Sequence, residues 1–409
     1  MLERSGLEGL AGASLGAVAS SLAVFLVATL AVQIRSGLHL SLSELGLAVS
    51  VYYLAAAIAA APAGRLAETF GGARTMKAAA IGAGCCLALV AAVARSLWSL
   101  AIMLAIAGAM DATMQSAGNL LLLRRTAIGR RGLAFGVKQA AVPFTSVLGG
   151  LAVPTLALTV GWRWAFGGAV GLAALAVLLI PAPRTKLAER RQARAQQHLD
   201  GALAPLLVLA AGFGLSMLSI TALTTFLVTS AVASGMGKAA AGLLVALAGG
   251  MAVLARVGVG VRADRMAVRH LRLVCGMLFL GSAGYLVLAV GSATRLGPFV
   301  VLGAVLTYGA GWGWNGLFNM AVSVSHPAAP AKASGITLTG NRLAGIAGPY
   351  LFALLVTHTS YTVAWLAAAG AAVAAGTVMF LGDRMLIARQ ARLLDAGEPR
   401  PPHGIQAVQ

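Results

Sequence analysis

Twelve long apolar runs restrict the possible folds of this chain more than any other feature. Each run holds about 20 residues or more, the length that an α-helix needs to cross the roughly 30 Å apolar core of a bilayer. The runs are continuous rather than alternating, which excludes a membrane β-barrel. The sequence therefore predicts an all-α integral membrane protein with twelve transmembrane helices, at residues 13–34, 44–66, 75–95, 98–123, 132–158, 163–182, 203–232, 238–262, 271–292, 297–325, 332–358 and 361–382.

A short polar loop occurs twice along the chain, each time between two of these runs. The first copy covers residues 64–74 and the second residues 260–269, and their first glycines are 196 residues apart. Further matches lie about 200 residues apart, in the pairs Gly136 and Gly335, Gly149 and Gly348, Gln115 and Asn315, and Asn119 and Asn319. Repetition at half the chain length predicts two pseudo-symmetric six-helix bundles, the architecture of a secondary transporter.

Charge placement gives the expected topology and domain organisation. The formal net charge is +19, but 22 of the 30 Lys and Arg residues fall on one side when the N-terminus is placed in the cytoplasm. This positive-inside bias predicts that both termini are cytoplasmic, and it removes the main reason to expect a nucleic-acid partner. We expect bundles at residues 1–182 and 203–382, a cytoplasmic linker at 183–202, and a cytoplasmic tail at 383–409.

Composition also limits the class of activity. The chain is 59% hydrophobic and 10% charged, so a lipid bilayer must cover surface that a soluble protein could not hide. Its three cysteines all lie in apolar runs and predict neither a disulfide framework nor a metal site. With no nucleophile–base pair evident, the sequence predicts no enzyme activity and no cofactor.

The first polar loop gives the chain a family resemblance. It has Gly64, an acid at Glu68, an aromatic at Phe70, then Gly71-Gly72 and the basic Arg74. The chain thereby resembles the major facilitator superfamily, which implies twelve helices and transport by alternating access. The Gly161-Trp162-Arg163-Trp164-Ala165-Phe166 turn is another feature typical of that family, and residues 309–318 loosely resemble its cyanate-transporter-like branch. A protein of this kind is expected in the bacterial inner membrane, as a monomer.

The resemblance implies a gate at the repeated loops. Carboxylates at the ends of helices can pair with arginines and stabilise a neighbouring helix N-terminus. The alternative is a plain topology anchor between short loops. The predicted gating residues are Gly64, Glu68, Arg74, Arg256, Gly260, Asp264 and Arg265.

Three charged residues lie deep within the apolar runs. They are Asp111, Lys138 and Arg342, and none has a charged counterpart at the equivalent position of the other half. A buried charge is costly and needs a partner or a water-lined cavity. The asymmetry favours substrate or ion handling over a role in the fold. An ion pair between Asp111 and Lys138, or snorkelling of Lys138 towards the membrane surface, would also account for part of the pattern.

Two cations against one acid favour a small anionic solute as the substrate. Arg342 would clamp a carboxylate in bidentate fashion, Lys138 would act as a point charge, and Asp111 would carry a coupling proton. Efflux of amphipathic compounds is the alternative, followed by a non-transporting membrane sensor. Further side chains predicted to contact the substrate are Asn315, Gln115, Trp314 and Tyr52.

Overall fold

The computed structural model describes residues 4–125, 131–181, 203–265, 270–325 and 330–395. Within these ranges the chain forms fourteen α-helices and two π-helical turns, and no β-strand. The π turns are Val153–Ala157, after α6, and Thr307–Gly311, between α11 and α12. The helices are α1 (Arg4–Thr29), α2 (Ala31–Leu38), α3 (Leu42–Phe70), α4 (Gly72–Val93), α5 (Leu97–Arg125), α6 (Arg131–Ala152), α7 (Trp162–Leu179), α8 (Leu203–Ala233), α9 (Lys238–Arg265), α10 (His270–Thr294), α11 (Gly297–Leu306), α12 (Asn315–Ser325), α13 (Pro330–His358) and α14 (Tyr361–Asp395).

These helices build the twelve predicted crossings. The bend at Leu30 joins α1 and α2 into one crossing, since the Leu30 N–H still bonds the Leu26 carbonyl at 2.8 Å. Ten of the described helices are long and apolar enough to span a membrane on their own. The remaining two crossings are α13, with Arg342 near its middle, and the run of α11, π turn and α12. The predicted fold class is confirmed.

Some helix ends differ from the prediction. The first helix begins at Arg4 rather than residue 13, and α14 continues to Asp395 rather than ending at residue 382. The added segment of α14 is rich in Leu, Arg and Ala, which favour helix outside the bilayer as well as inside it. The predicted linker at 183–202 lies outside the described residues, as does the chain beyond residue 395.

Close contacts between the two halves are found near one face of the bundle. We call the face where α1, α6 and α13 begin and α3 ends the proximal face, and the opposite one the distal face. Pairs of helices from the two halves pack together, α3 with α13 and α6 with α9. Near the distal face the Ser43 and Thr357 hydroxyls lie 3.2 Å apart, and a Cβ on Gly46 would lie 2.8 Å from the Pro349 carbonyl oxygen. The halves therefore meet tightly on the distal side.

Four glycines towards the proximal ends of the same helices make no such contact. A Cβ built on any of four glycines there would meet no heavy atom within 4 Å; these are Gly64 in α3, Gly136 in α6, Gly260 in α9 and Gly335 in α13. Among the described residues, the tight glycine contacts between the halves therefore lie at mid-depth or towards the distal face.

The loop with Gly71 and Gly72 turns the chain between α3 and α4. Gly71 has a φ of 86°, a left-handed conformation that favours glycine. A Cβ on Gly72 would lie 2.9 Å from the Ala117 carbonyl oxygen of α5. The first glycine thus permits the turn, and the second permits α4 to approach α5.

Arg163, at the start of α7, caps the end of α4. Its Nη2 donates to the Ala94 carbonyl at 2.6 Å, and its Nη1 donates to the Ala91 carbonyl at 3.1 Å. The guanidinium also lies 4.4 Å from the ring centroid of Trp162. The last carbonyls of a helix have no intrahelical donor, so this arginine satisfies groups that α4 leaves open.

We expect Arg163→Ala to lower the stability of the first bundle. Hydrogen bonds from a charged donor contribute about 1.5–3 kcal/mol each, and the variant loses two of them. The thermal midpoint of the purified protein should fall by several degrees. It is measured as the temperature at which half of the protein no longer elutes as a monodisperse peak after heating. Arg95→Ala, at an exposed position near the same face, should leave the midpoint unchanged. Equal midpoints for both variants would contradict the capping role.

Candidate functional site

A ladder of polar side chains on α5 forms the centre of the candidate site. Asp111, Gln115 and Asn119 are spaced four residues apart, so they lie on one face of the helix. Lys138 of α6 reaches this face and is 2% exposed. Its Nζ donates to Gln115 Oε1 at 2.7 Å, to Asn119 Oδ1 at 2.6 Å and to the Gln115 carbonyl at 3.3 Å. The ammonium group thus has three neutral acceptors for its three hydrogens.

Gly118 gives Lys138 the space to reach α5. A Cβ at residue 118 would lie 3.3 Å from Lys138 Cε. The glycine therefore lets the stem of the lysine lie flat against α5, which positions the ammonium group between Gln115 and Asn119.

We call Gln115 and Asn119, the residues that accept hydrogen bonds from Lys138, the lysine cage. Asp111 lies beside this cage without forming an ion pair with Lys138. Its Oδ1 accepts a hydrogen bond of 2.7 Å from the Ser20 hydroxyl of α1. Among the described side chains no Lys or Arg nitrogen lies within 4.0 Å of the carboxylate. Asp111 interacts electrostatically with Lys138 and with Arg342, so the three predicted deep charges lie in one region. A direct Asp111–Lys138 pair, considered above, is not what the structure contains.

Arg342 of α13 extends across the boundary between the halves. Its Nη1 donates to the Ala56 carbonyl of α3 at 3.0 Å. The side chain is half-buried. Its recorded hydrogen bond is to a neutral main-chain oxygen, so its charge remains available to an anion.

Arg256 of α9 lies at the second contact between the halves. Its Nη1 donates to the Gln139 carbonyl of α6, and its Nη2 lies 3.4 Å from the Trp312 carbonyl. Its guanidinium carbon lies 5.1 Å from the centroid of the Trp312 ring. Sequence reasoning assigned Arg256 to the gate with Asp264, eight residues further on. The structure places its guanidinium against the backbone of α6 at Gln139, which directly follows Lys138. A gating role for Arg256 stays a prediction.

The two neighbouring tryptophans have different environments. Trp314 is 0% exposed and packs against Phe213 and Phe318, with its indole N–H donating to the Gly311 carbonyl at 2.6 Å. It therefore belongs to the core of the second bundle rather than to the predicted substrate wall. Trp312 lies where the two halves meet, with the ring of Phe25 of α1 stacked on it at a centroid distance of 6.0 Å. The π turn before these residues shifts the helical register, which the sequence did not reveal.

The other predicted substrate contacts lie near the charges. Tyr52 of α3 packs edge-on against Tyr53, with ring centroids 5.2 Å apart, and interacts electrostatically with Asp111. Asn315 begins α12, one turn after Trp312, and its Oδ1 is buried without a hydrogen-bond partner among the described residues. Tyr308, which sequence reasoning missed, packs edge-on against Trp312 at 5.4 Å.

The predicted gating residues lie at the proximal face. Glu68 and Arg74 are exposed, and among the described side chains no basic nitrogen lies within 4.0 Å of the Glu68 carboxylate. Gly64 and Gly260 border open space. Asp264 and Arg265 end α9, but their side chains lie outside the described part of the chain.

The described residues contain no group of three or more His, Cys, Asp or Glu side chains that could hold a metal ion. Two helical halves that enclose buried charges define a multi-pass membrane protein with a polar centre. The family model described as Major Facilitator Superfamily matches residues 13–292, and the chain belongs to that family.

Two curated relatives are uncharacterized MFS-type transporters of Mycobacterium tuberculosis, from strains CDC 1551 / Oshkosh and ATCC 25618 / H37Rv. Both are 29% identical to this chain, over 297 and 288 residues respectively. Each match covers 68% of this chain and 63% of the relative, so it spans less than two thirds of the relatives' length.

Solved structures share the fold at lower identity. A D-xylose–proton symporter superposes with a TM-score of 0.74 at 18% identity, covering 91% of this chain and 97% of that one. A mutant of the nucleoside transporter NupG gives a TM-score of 0.68 at 16% identity, covering 92% and 99%. At these identities the likeness concerns the fold alone.

Proposed function

We propose that this chain is a secondary active transporter of a small organic anion. It would work by alternating access, with proton coupling or exchange, as a monomer in a bacterial inner membrane. In this proposal both termini and the proximal face are cytoplasmic, the bundles are residues 1–182 and 203–382, and the described conformation opens to the cytoplasm.

The arrangement of charge where the halves meet is the observation that supports an anion most directly. The centre holds three cations, Lys138, Arg256 and Arg342, and one carboxylate, Asp111, which interacts electrostatically with Lys138 and Arg342. The hydrogen bonds of all three cations go to neutral oxygens. Cations in a low-dielectric centre are costly unless a counter-charge compensates them. A bound anion would supply that charge and would be attracted from either side of the membrane.

The gate fits the same proposal. Alternating access requires that one face closes while the other opens, and here the distal contacts are closed and the proximal glycines border open space. Glu68 and Asp264 would then pair with basic groups when the proximal face closes. In the conformation described, the carboxylate of Glu68 is exposed and therefore free to form such a pair.

Counterflow of labelled anions in proteoliposomes tests the proposal. Purified wild-type protein should exchange at least one labelled small carboxylate, such as acetate, lactate or succinate, against an internal pool of the same compound. Liposomes without protein provide the background. Absence of exchange for every organic anion, together with exchange of a neutral or cationic amphipathic compound, would favour efflux instead.

Asp111→Asn should separate coupling from exchange. The amide can still accept a bond from Ser20 but cannot take up or release a proton, so accumulation driven by a pH gradient should fall at least tenfold. Counterflow needs no net proton movement and should stay within about threefold of wild type. Glu44→Gln, a matched change at the exposed N3 position of the α3 capping box, should alter neither rate. Gradient-driven accumulation that survives Asp111→Asn would remove Asp111 from the coupling step.

A further inference from the structure

We infer that Arg256 is a second anion-binding residue and that the transported solute carries two anionic groups, as a dicarboxylate does. The inference rests on the proposed function and names the substrate class for the same central site.

The guanidinium of Arg256 has one edge without a partner. Nη1 and Nη2 contact the carbonyls of Gln139 and Trp312, whereas Nε is buried with no hydrogen-bond partner among the described residues. The Nε hydrogen and one Nη2 hydrogen lie side by side on a guanidinium, in the spacing of the two oxygens of a carboxylate. A buried N–H without an acceptor is unfavourable, and a carboxylate on this edge would remove that cost.

The backbone next to Arg256 is irregular, as at binding sites in transporters. The π turn Thr307–Gly311 interrupts the tenth crossing, and the chain resumes as α12 at Asn315. The carbonyls of Gly311 and Trp312 accept hydrogen bonds from side chains, namely the Trp314 indole and Arg256. Irregular backbone at membrane depth is tolerated where protein surrounds it or where it lines a cavity.

Arg256 and Arg342 occupy comparable positions on the two contacts between the halves. Both come from the second bundle, and each donates one Nη to a main-chain carbonyl of the first bundle, at Gln139 and Ala56. Rocking of the halves would break both bonds together and release both guanidiniums.

A chain of contacts connects the two arginines through the centre. A Cβ on Gly345, one turn after Arg342, would touch the Tyr53 ring at 2.8 Å. Tyr53 lies near Tyr308, whose ring packs against Trp312, over which Arg256 lies. The two guanidiniums therefore lie at opposite ends of one row of aromatic rings, and the proposed solute would lie along this row.

Formal charge gives the valence of that solute. Arg256 and Arg342 lie where the halves meet, and among the described side chains neither has a carboxylate within 4.0 Å. A dianion supplies one counter-charge to each guanidinium, whereas a monoanion leaves one of them without a counter-charge.

The test compares dicarboxylates with their monoamides. Malonate, succinate and glutarate are titrated against purified full-length protein beside malonamate, succinamate and glutaramate, which have nearly the same shape and one charge fewer. Stabilisation against heat reports binding, and inhibition of counterflow gives a second readout. At least one dicarboxylate should act at a concentration ten or more times lower than its monoamide.

Arg256→Gln should remove this preference. The affinity for the dicarboxylate should fall at least tenfold, while that for the monoamide should change less than threefold, which a general loss of folding cannot produce. Arg95→Gln, at an exposed position outside the contact between the halves, should keep the wild-type preference. Should Arg256→Gln fail to give monodisperse protein, Arg256→Lys replaces it: this variant keeps the charge but not the fork, and an unchanged dicarboxylate affinity would overturn the inference.

The outcomes separate the inference from the proposed function. Equal action of dicarboxylates and monoamides, or a preference that persists in Arg256→Gln, overturns the dianion while leaving anion transport intact. Failure of every organic anion to stabilise wild type or to be exchanged overturns both.

Discussion

Arg342→Ala is expected to reduce anion transport to background while the protein still folds and inserts. The guanidinium lies where the halves meet, half-buried and bonded to the Ala56 carbonyl rather than to a carboxylate. Two charge-assisted hydrogen bonds to a bound anion contribute about 3 kcal/mol or more, equivalent to roughly 100-fold in affinity. Initial rates of counterflow in proteoliposomes, at matched protein content, measure the effect.

Two further variants separate charge from geometry at this position. Arg342→Lys keeps the charge but loses the planar fork, so an intermediate rate is expected. Arg95→Ala, near the distal face and away from the centre, should transport like wild type. A normal rate in Arg342→Ala would mean that the side chain only forms a structural contact between α13 and α3.

The fold could be predicted because the bilayer imposes a simple rule. A chain must satisfy its backbone hydrogen bonds while crossing about 30 Å of hydrocarbon, and runs of about 20 apolar residues do this as helices. The crossings built by α3, α4 and α5 therefore follow from the sequence within a few residues. Interruptions of the helix within a crossing are harder to predict, since nothing in the apolar composition of residues 297–325 marks the π turn at Thr307–Gly311.

The site could be predicted only in part, because composition gives the depth of a residue but not its neighbours. Asp111, Lys138 and Arg342 were recognisable as buried charges, and the structure brings them into one region. The lysine cage could have been anticipated from the spacing of Gln115 and Asn119 on one face of α5. The position of Arg256 could not, because it depends on how closely α6 packs on α9.

The close packing of α6 on α9 gives the second large expected effect, for Gly242→Leu. A Cβ on Gly242 would lie 2.5 Å from Val153 Cβ and 2.8 Å from the Gly150 carbonyl oxygen. Gly150 is equally tight, with its Cβ position 2.5 Å from the Ala246 amide nitrogen. A larger side chain can be accommodated only if α6 and α9 separate, which opens the distal face.

Transport should then stop, because the distal side can no longer close. Overpacking costs about 1–3 kcal/mol in a well-packed contact, enough to shift a two-state equilibrium by roughly 5- to 150-fold towards the open side. Counterflow should fall to background. The variant Val153→Cys, made in a background without the three native cysteines, reports the opening, since residue 153 is 0% exposed in the closed contact. Its labelling by a membrane-impermeant maleimide should rise at least tenfold when Gly242→Leu is added.

Gly250→Leu is the matched control on the same helix. A Cβ on Gly250 meets no heavy atom within 4 Å, so the same leucine should change neither labelling nor transport. Its neighbour Gly249 faces α6, where a Cβ would lie 3.0 Å from Ser146 Cβ. A leucine at residue 249 should therefore disturb the contact with α6, whereas a leucine at residue 250 should not. If Gly242→Leu leaves labelling low and transport normal, the contact absorbs the leucine without opening, which contradicts the prediction. If labelling rises while transport stays normal, the α6–α9 contact does not need to stay closed in any step of the cycle. The movement of the two halves would then have to pivot on α6 and α9 rather than close across them.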